Sequence, residues 1–458
     1  MNPISSYLLA GAAGAGGKIP NKLWIFNRGL SGATFGPNDN ILETHTYTAS
    51  PFTSRVNAGI GLLDVKTNTM SWTKRYVIGQ TTFNQNHSTN PGKPFYLKTQ
   101  DKIYVSGHYG DENSDGIIVL NSSGSSITNS ARLGGAISGQ RGNVFTSDAS
   151  VVYQTMSDTG NFSNGNTLVY GKYTLGSGSN TVSANWKSTW TNTGSSYPYV
   201  YGNVIGSGAV YTLHITYNSD YSAVAGTGFA SVNLDGTQGS RYSFTVSDTY
   251  IGSTLLIDSS DNLYVSFFRA PDSNNSSRPK GQLTSYNSGF SHRFSLQPTI
   301  TGNSFNTQAK PLAIDSSGNI YALVSQWYYS GGVTDVSTRR IVKVNSSGTV
   351  LWQYTINQDI NEIILHPTNP NVMIIRFASA IMTQTTAALI TGTWGSYTIS
   401  TSTDVSFSSV SAPYTLSSGN GGISANNMSF SSNSASASVT STGLTNDSIS
   451  ITSTSSLQ

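Results

Sequence analysis

The sequence predicts an all-β fold, a β-propeller, and three observations support this. First, an aliphatic residue followed by a large one, usually Tyr, recurs six times at steps of 49–58 residues. Second, a small polar turn follows each copy by 17–24 residues. Third, self-similarity at this period is typical of radially repeated β architectures. The six copies are Ile103-Tyr104, Val152-Tyr153, Val210-Tyr211, Leu263-Tyr264, Ile320-Tyr321 and Val372-Met373.

The best-preserved unit shows what one repeat contains. Residues 311–315 form a short apolar run, and a Ser-Ser-Gly-Asn turn leads into a second apolar run at 320–324. After a variable loop, residues 340–344 and 350–354 flank an Asn-Ser-Ser-Gly turn. β-branched and aromatic residues favour strands, whereas Gly, Asn and Ser favour tight turns. The unit therefore predicts four antiparallel strands, which is one blade of a propeller.

The number of units predicts seven four-stranded blades over residues 21–408, with six or eight as alternatives. Six units are explicit, and a degenerate unit precedes them. Its first strand is expected at residues 23–26, followed by a long insertion over 28–57 and then by strands at 61–65 and 70–73. The low-complexity C-terminus could add further strands, which is why eight blades stay open.

Both ends of the chain differ from the repeats. Residues 1–20 form a Gly/Ala-rich stretch with no charged side chain before Lys18. We interpret it as an arm that docks onto a neighbouring subunit, with a disordered leader or a cleaved signal as alternatives. Residues 409–458 are rich in Ser, Thr and Asn and alternate weakly at 434–439 and 449–452. Such a segment either pairs with existing sheet edges, extending or closing the propeller, or forms a Ser-rich tail.

Composition excludes several classes of protein. Charged residues make up 10% of the chain and the net charge is only +3, so we expect no nucleic-acid partner. No apolar run reaches 18 residues, so we expect no membrane insertion. The chain has no cysteine, which excludes disulfides and thiolate metal sites.

No local catalytic motif is apparent, and the sequence predicts a protein that is not an enzyme. The six histidines are scattered without metal-ligand spacing. Asp258 and Asp315 fall in hairpin turns, where Asp usually caps its own backbone. A propeller hydrolase with dispersed carboxylates is the alternative.

One loop resembles part of a calcium site. Asp111, Asn113 and Asp115, followed by Gly116, match the first half of a calcium-binding loop. Position twelve is Ser122, where such a loop needs a bidentate Glu. A polar loop without an ion is the simpler alternative, and no other cofactor is expected.

Aromatic residues between the second and third strands predict a binding surface. We expect them to be exposed in variable loops, where aromatic rings among Asn and Ser side chains suit sugar rings. The densest group is Trp327, Tyr328 and Tyr329, a candidate contact for a host-surface glycan or a neighbouring subunit. Packing beneath their own loops is the alternative. The other residues of this set are Tyr109, Phe162, Tyr217 and Tyr221.

Two resemblances follow from these residues. The units at 314–321 and 344–352 resemble bacterial propeller repeats of the NHL-like and PQQ-like kinds. Those repeats imply the fold and say little about the role. With its Gly/Ala leader, absence of Cys and polar blades, the whole chain is similar to structural proteins of marine tailed phages.

The second resemblance implies a function. We expect a non-enzymatic virion component, such as a tail, fibre or capsid-surface protein, located in the virion. It would be anchored by its N-terminal arm, would be a homo-oligomer in the particle, and would contact other virion proteins or a host-surface glycan. The alternative is a secreted or cell-surface propeller that binds carbohydrate.

Overall fold

A computed structural model describes the repeats and parts of both termini. Strands account for nearly all of its regular structure, joined by one short 3-10 turn at Pro37–Asp39. No helix in the part of the chain that the structure describes is long and apolar enough to cross a membrane. The described residues are 19–49, 52–76, 89–109, 114–124, 127–133, 141–145, 151–158, 167–175, 182–191, 197–217, 224–244, 250–269, 281–301, 306–330, 333–411, 416–418, 445–446 and 451–453.

The strands follow one another in short antiparallel hairpins. In the first half of the chain they are β1 (Lys22–Phe26), β2 (Gly29–Phe35), β3 (Ile41–Ala49), β4 (Phe52–Asp64), β5 (Thr69–Tyr76), β6 (Thr89–Leu97), β7 (Lys102–Tyr109), β8 (Ser114–Asn121), β9 (Ile127–Leu133), β10 (Arg141–Phe145), β11 (Val151–Asp158), β12 (Thr167–Leu175), β13 (Val182–Thr191), β14 (Tyr197–Ile205), β15 (Ala209–Tyr217), β16 (Val224–Asn233) and β17 (Gln238–Phe244).

The second half continues the same pattern and ends in shorter strands. They are β18 (Tyr250–Ile257), β19 (Leu263–Arg269), β20 (Gln282–Tyr286), β21 (His292–Ile300), β22 (Asn306–Ile314), β23 (Ile320–Ser330), β24 (Val333–Val344), β25 (Val350–Ile356), β26 (Glu362–Leu365), β27 (Val372–Arg376), β28 (Ala380–Thr385), β29 (Gly392–Trp394), β30 (Tyr397–Thr401), β31 (Val405–Val410), β32 (Leu416–Ser418), β33 (Thr445–Asn446) and β34 (Ile451–Ser453).

These strands form a β-propeller of consecutive antiparallel sheets. In all but one of them the chain enters at the first strand and leaves at the fourth, and the exception takes its fourth strand, β1, from the N-terminal part of the chain. The seven sheets are I (β2-β3-β4-β5-β33), II (β6-β7-β8-β9), III (β10-β11-β12-β13), IV (β14-β15-β16-β17-β32), V (β18-β19-β20-β21-β31), VI (β22-β23-β24-β25-β30-β29) and VII (β26-β27-β28-β1-β34). The hydrophobic core lies between neighbouring sheets. Between VII and I, for example, Trp24, Ile41 and Leu63 pack with Ile364 and Ile374.

The first unit differs from the sequence prediction. Residues 23–26 were assigned to the first strand of unit one, but β1 pairs with β28 in sheet VII, with Trp24 opposite Ile381. The expected insertion over 28–57 contains β2, β3 and the start of β4, so sheet I is complete without β1. The physical reason is closure: an N-terminal strand that completes the last sheet joins the two ends of the ring by hydrogen bonds and covers an open edge.

The C-terminal strands add to the outer edges of the sheets. β30 pairs with β25, β31 with β21 and β32 with β17. Farther along, β33 pairs with β5 and β34 with β1. Residues 391–393, where the spacing of the repeats predicts the polar turn of the sixth copy, instead lead into the β29–β30 hairpin on sheet VI. Residues 1–18 of the expected N-terminal arm lie outside the described residues.

The recurring tyrosine is explained by its position on the second strand. Tyr104, Tyr264 and Tyr321 are buried. The hydroxyl of Tyr264 donates a 2.9 Å hydrogen bond to Asp258 in the preceding turn, and that of Tyr104 donates one of 3.0 Å to the side chain of Gln100. Each ring therefore fills the space between sheets while its hydroxyl is satisfied by the turn. The recurring aliphatic–Tyr pair therefore reflects packing between the sheets.

Candidate functional site: a charged cluster on the propeller axis

The first strand of each sheet lies nearest the axis. β2 contacts β6, β10 contacts β14, and β14, β18, β22 and β26 contact one another in succession. Five of these inner strands have an irregular register, between residues 30 and 32, 91 and 94, 200 and 202, 252 and 255, and 311 and 313. Such irregularities bend a strand and redirect its side chains. The sequence pattern gave no indication of them.

An ion pair near the axis joins two sheets that are not neighbours. The Nζ of Lys93 on β6 contacts the Oε1 of Glu362 at the start of β26. β6 belongs to sheet II and β26 to sheet VII, and sheet I lies between them in the chain order of the ring. Side chains from sheets that are not neighbours can meet only where the sheets converge. Lys93 and Glu362 therefore lie where the inner strands converge.

Arg376 completes the shell around this carboxylate. It lies opposite Glu362 in the β26–β27 pair, and its Nε is 3.2 Å from Oε2 of Glu362. Its Nη1 donates a 2.9 Å hydrogen bond to the carbonyl of Leu30 in sheet I. Burial opposes the charged form of Glu362, but Lys93 and Arg376 outweigh burial and hold the pKa of this carboxyl below its ordinary value.

Lys310 adds a third cation from sheet VI. It lies on β22 and interacts electrostatically with Arg376, Asp359 and Glu362. Burial, and then the nearby charge of Arg376, lower the pKa of its ammonium group. We call Lys93, Lys310, Glu362 and Arg376 the axial cluster. The side chains of Lys93, Glu362 and Arg376 are 22%, 11% and 10% exposed, so part of the cluster remains open to solvent.

A second charged network, in sheet I, is fully enclosed. Both carboxylate oxygens of Glu43 are occupied, one by Arg28 Nη2 at 2.5 Å and the other by His45 Nδ1 at 2.9 Å. Gly59 and Gly61 on β4 leave room for these side chains, because a Cβ there would lie 2.0 Å from His45 Nε2 or 2.4 Å from Glu43 Oε1. Because Glu43 and His45 are almost wholly inaccessible to solvent, this network has a structural role.

The predicted aromatic site lies on paired strands. Trp327, Tyr328 and Tyr329 are at the end of β23, where their backbone pairs with residues 334–336 of β24. The expectation of a loop is therefore wrong at these positions, because the β23–β24 hairpin continues past them. Tyr109 and Tyr217 likewise end strands β7 and β15. Phe162 and Tyr221 lie outside the described residues.

The same hairpin brings this segment to the sheet that carries Lys310. Trp327 pairs with Asn306, the first residue of β22, and Lys310 follows four residues later on that strand. At ~3.3 Å per residue, the backbones of Asn306 and Lys310 are about 13 Å apart. The predicted aromatic segment and Lys310 of the axial cluster thus belong to the same sheet.

Only one of the three residues predicted to bind calcium lies in the described part of the chain. Asp111 and Asn113 lie outside the described residues, and Asp115 belongs to β8, where it pairs with His108 and Leu133. Among the residues that the structure describes, no group of three or more His, Asp or Glu side chains is arranged to hold a metal ion. The calcium site stays a prediction.

Sequence reasoning missed the axial cluster because its members lie far apart in the chain. A signal was nevertheless present. Charged residues are rare in this protein, yet Lys310 directly precedes the apolar run of its inner strand and Glu362 opens the equivalent strand of the next unit. Aligning the charged residues of the inner strands across units would have singled out both.

Comparison with known proteins gives a fold likeness. No family model matches the chain, and no curated protein matches it. Similar solved structures include the hydrazine synthase of Kuenenia stuttgartiensis, at 11% identity and a TM-score of 0.46 over 83% of this chain and 99% of that one. Others are an ulvan lyase of polysaccharide lyase family PL25 (10%, 0.45, 80% and 95%) and the Dos1 propeller (10%, 0.44, 80% and 94%).

These likenesses correct one prediction. The sequence predicted a protein that is not an enzyme, because no local catalytic motif was found. Structures with a similar fold include enzymes, a lyase and a synthase. Propellers support many unrelated functions, so neither the fold nor the missing motif argues against catalysis. At such low identity the likeness concerns the fold alone.

Proposed function

We propose that this protein is a carbohydrate-binding propeller whose ligand occupies the axial cluster. The observation that carries the proposal is the Lys93–Glu362 contact across the axis, joined by Arg376 and Lys310. Partly exposed clusters of charged groups are candidates for binding sites, since ligands usually bind where a few polar groups converge.

A purely structural role explains the cluster poorly. Removing charges from water costs several kcal/mol per ion, and well-packed apolar residues often serve stability as well as a buried ion pair does. Here three cations surround one carboxylate, so repulsion among Lys93, Lys310 and Arg376 adds to that cost. A ligand that forms hydrogen bonds or ion pairs with these groups would offset that cost and account for the arrangement.

Carbohydrate fits the chemistry around the axis. Sugar hydroxyls both donate and accept hydrogen bonds, and the cluster offers ammonium and guanidinium donors beside a carboxylate acceptor. The segment at 327–329 in the same sheet as Lys310 contributes three aromatic residues, and aromatic rings suit the C–H faces of sugars. The contact assigned to Trp327, Tyr328 and Tyr329 therefore stays part of the proposal.

A glycan panel tests this function. The full chain is screened against immobilised neutral, uronate-containing and sulfated glycans, and the same glycans are analysed for cleavage after incubation. We expect binding that weakens in Glu362→Gln and in the double variant Trp327→Ala, Tyr329→Ala. Lys66→Met, which changes an exposed turn of sheet I, is the control and should bind normally. Binding to no glycan would refute the proposal.

The virion role predicted from the sequence is compatible with this function. A glycan-binding propeller on a particle would contact host-surface sugars, while the segment at 1–20 would anchor it among other virion proteins in a homo-oligomer. Mass spectrometry of purified particles tests this assignment. Deleting residues 2–17 should abolish incorporation into particles, and normal incorporation would refute the anchor.

A further inference from the structure

The axial cluster holds more positive charge than its carboxylate can satisfy. Lys93 and Arg376 occupy different oxygens of Glu362, so both oxygens already have a cationic partner. Within the described part of the chain, no hydrogen bond and no ion pair within 4 Å involves the ammonium group of Lys310. Three positive charges against one negative charge leave a local excess of two.

This arrangement differs from the matched ion pairs of the described residues. Arg340, for example, pairs with Asp404 through two hydrogen bonds of 2.9 and 2.6 Å. Asp359, the other carboxylate near Lys310, is engaged by Arg339, with Nη2 3.1 Å from Oδ2. Asp359 and Glu362, the two carboxylates that interact electrostatically with Lys310, are thus both paired with other cations.

The protonated form of Lys310 is also disfavoured by its surroundings, and a nearby anion would stabilise it. Burial and the neighbouring charge of Arg376 disfavour its protonated form. An anionic group placed beside the ammonium would supply the missing counter-charge, and a hydrogen bond between two charged groups is among the stronger polar interactions in proteins. A neutral sugar hydroxyl would not offset the repulsion from Arg376.

We infer that the bound glycan is acidic and that its carboxylate or sulfate group binds the ammonium of Lys310. This inference rests on the proposed function. Lys93, Glu362 and Arg376 then form the wall beside that group. The source of the negative charge, a uronate or a sulfate ester, is decided by experiment, because both present oxygen acceptors to an ammonium.

The test divides the glycan panel by charge. Isothermal titration compares an oligomer of galacturonic acid, its carboxyl-reduced neutral counterpart, and a sulfated form of that neutral counterpart. We expect affinity for at least one acidic oligomer to exceed that for the neutral one by about tenfold or more, the magnitude of one charge-assisted hydrogen bond. The affinity should fall with added salt, because surface charge interactions are screened.

Variants locate the effect at Lys310. Lys310→Met should weaken acidic binding by about tenfold or more and abolish the preference over the neutral oligomer, while Lys310→Arg should retain most of that preference. Lys66→Met removes the same charge from an exposed turn and should leave all affinities unchanged. Melting curves of each variant establish that it is folded.

The outcomes separate the two proposals. Equal binding of acidic and neutral oligomers, or unchanged acidic binding in a folded Lys310→Met, overturns the inference and leaves carbohydrate binding in place. Binding to none of the three oligomers, together with none in the wider panel, refutes the proposed function and the inference with it. A preference for one acidic form supports the inference and names the anion.

Discussion

His366 and Asp39 join the last sheet of the propeller to the first. Nε2 of His366, just after β26, lies 3.2 Å from Oδ1 of Asp39, between β2 and β3. Nδ1 accepts hydrogen bonds from the backbone N–H groups of Thr368 and Asn369, at 3.2 and 2.9 Å. The neutral tautomer with its proton on Nε2 satisfies all three partners. The ring also packs edge-on against Phe35, with centroids 4.4 Å apart.

This arrangement predicts a loss of stability in mild acid. Burial lowers the pKa of His366 from the ordinary 6.5, against the opposing effect of Asp39, so the folded protein binds this proton less readily than the unfolded chain. The contribution is fully present above about pH 6.5 and is lost as the pH falls below it. The melting temperature, measured from pH 8 to pH 5, should decrease over the lower part of that range.

A variant isolates this residue from other titrating groups. His366→Gln should melt lower at pH 8 and show a smaller decrease towards pH 5. His292→Gln is the comparison variant: burial lowers the pKa of His292 as well, so this variant should lose only the share of the pH dependence that His292 contributes on sheet V, and keep that of His366. If His366→Gln keeps the full wild-type pH dependence, the assignment to His366 is wrong.

The axial cluster predicts opposite effects for its two kinds of charge. Glu362→Gln leaves Lys93, Lys310 and Arg376 without their carboxylate and should destabilise the free protein by about 3 kcal/mol or more, since breaking a buried ion pair leaves uncompensated charge. Lys310→Met removes a desolvated cation and should leave stability unchanged or higher. Urea unfolding without ligand measures both. A large loss in Lys310→Met would show that this lysine serves the fold.

The turn at Asp315 should be important for its unit. Oδ1 of Asp315 accepts the backbone N–H groups of Ser317 and Asn319, at 3.0 and 2.9 Å, and Oδ2 lies 2.9 Å from the Nζ of Lys343. Asp315→Ala should lower the free energy of unfolding by about 1–3 kcal/mol, because it leaves partly buried donors unpaired. Asp235 is the control.

Asp235 accepts hydrogen bonds from the backbone N–H and the hydroxyl of Thr237, in an exposed turn. Asp235→Ala should therefore cost less than Asp315→Ala when both are measured by urea unfolding. Equal losses would show that the lysine contact and the burial of Asp315 contribute nothing.

Gly59 should not tolerate a side chain. A Cβ at this position would lie 2.0 Å from Nε2 and 2.4 Å from Cε1 of His45, which is fixed by its bond to Glu43. Gly59→Ala should destabilise the protein by about 1–3 kcal/mol through overpacking. Gly208→Ala is the matched control, with no atom within 4 Å of its added Cβ. Comparable melting temperatures for the two variants would contradict the enclosed network in sheet I.

Local patterns predicted the repeat well where each strand is close to its partner in the chain. The turn at Asp258 was predicted from the sequence as a self-capped hairpin, and its Oδ1 accepts the N–H groups of Ser260 and Asn262, both at 2.9 Å. Tyr264 and Tyr321 were recognised as repeat markers and are buried second-strand residues. These features depend on residues a few positions apart.

The sequence by itself determined the all-β class, the four-stranded unit and the turns, because hairpin chemistry is local and recurs at a fixed period. Only the tertiary structure decided that β1 completes sheet VII and that Lys93 meets Glu362 across the axis. The two partners of that ion pair are 269 residues apart in the chain. Closing a ring brings both ends of the chain and all inner strands to common positions, and no local pattern records which distant residues then meet.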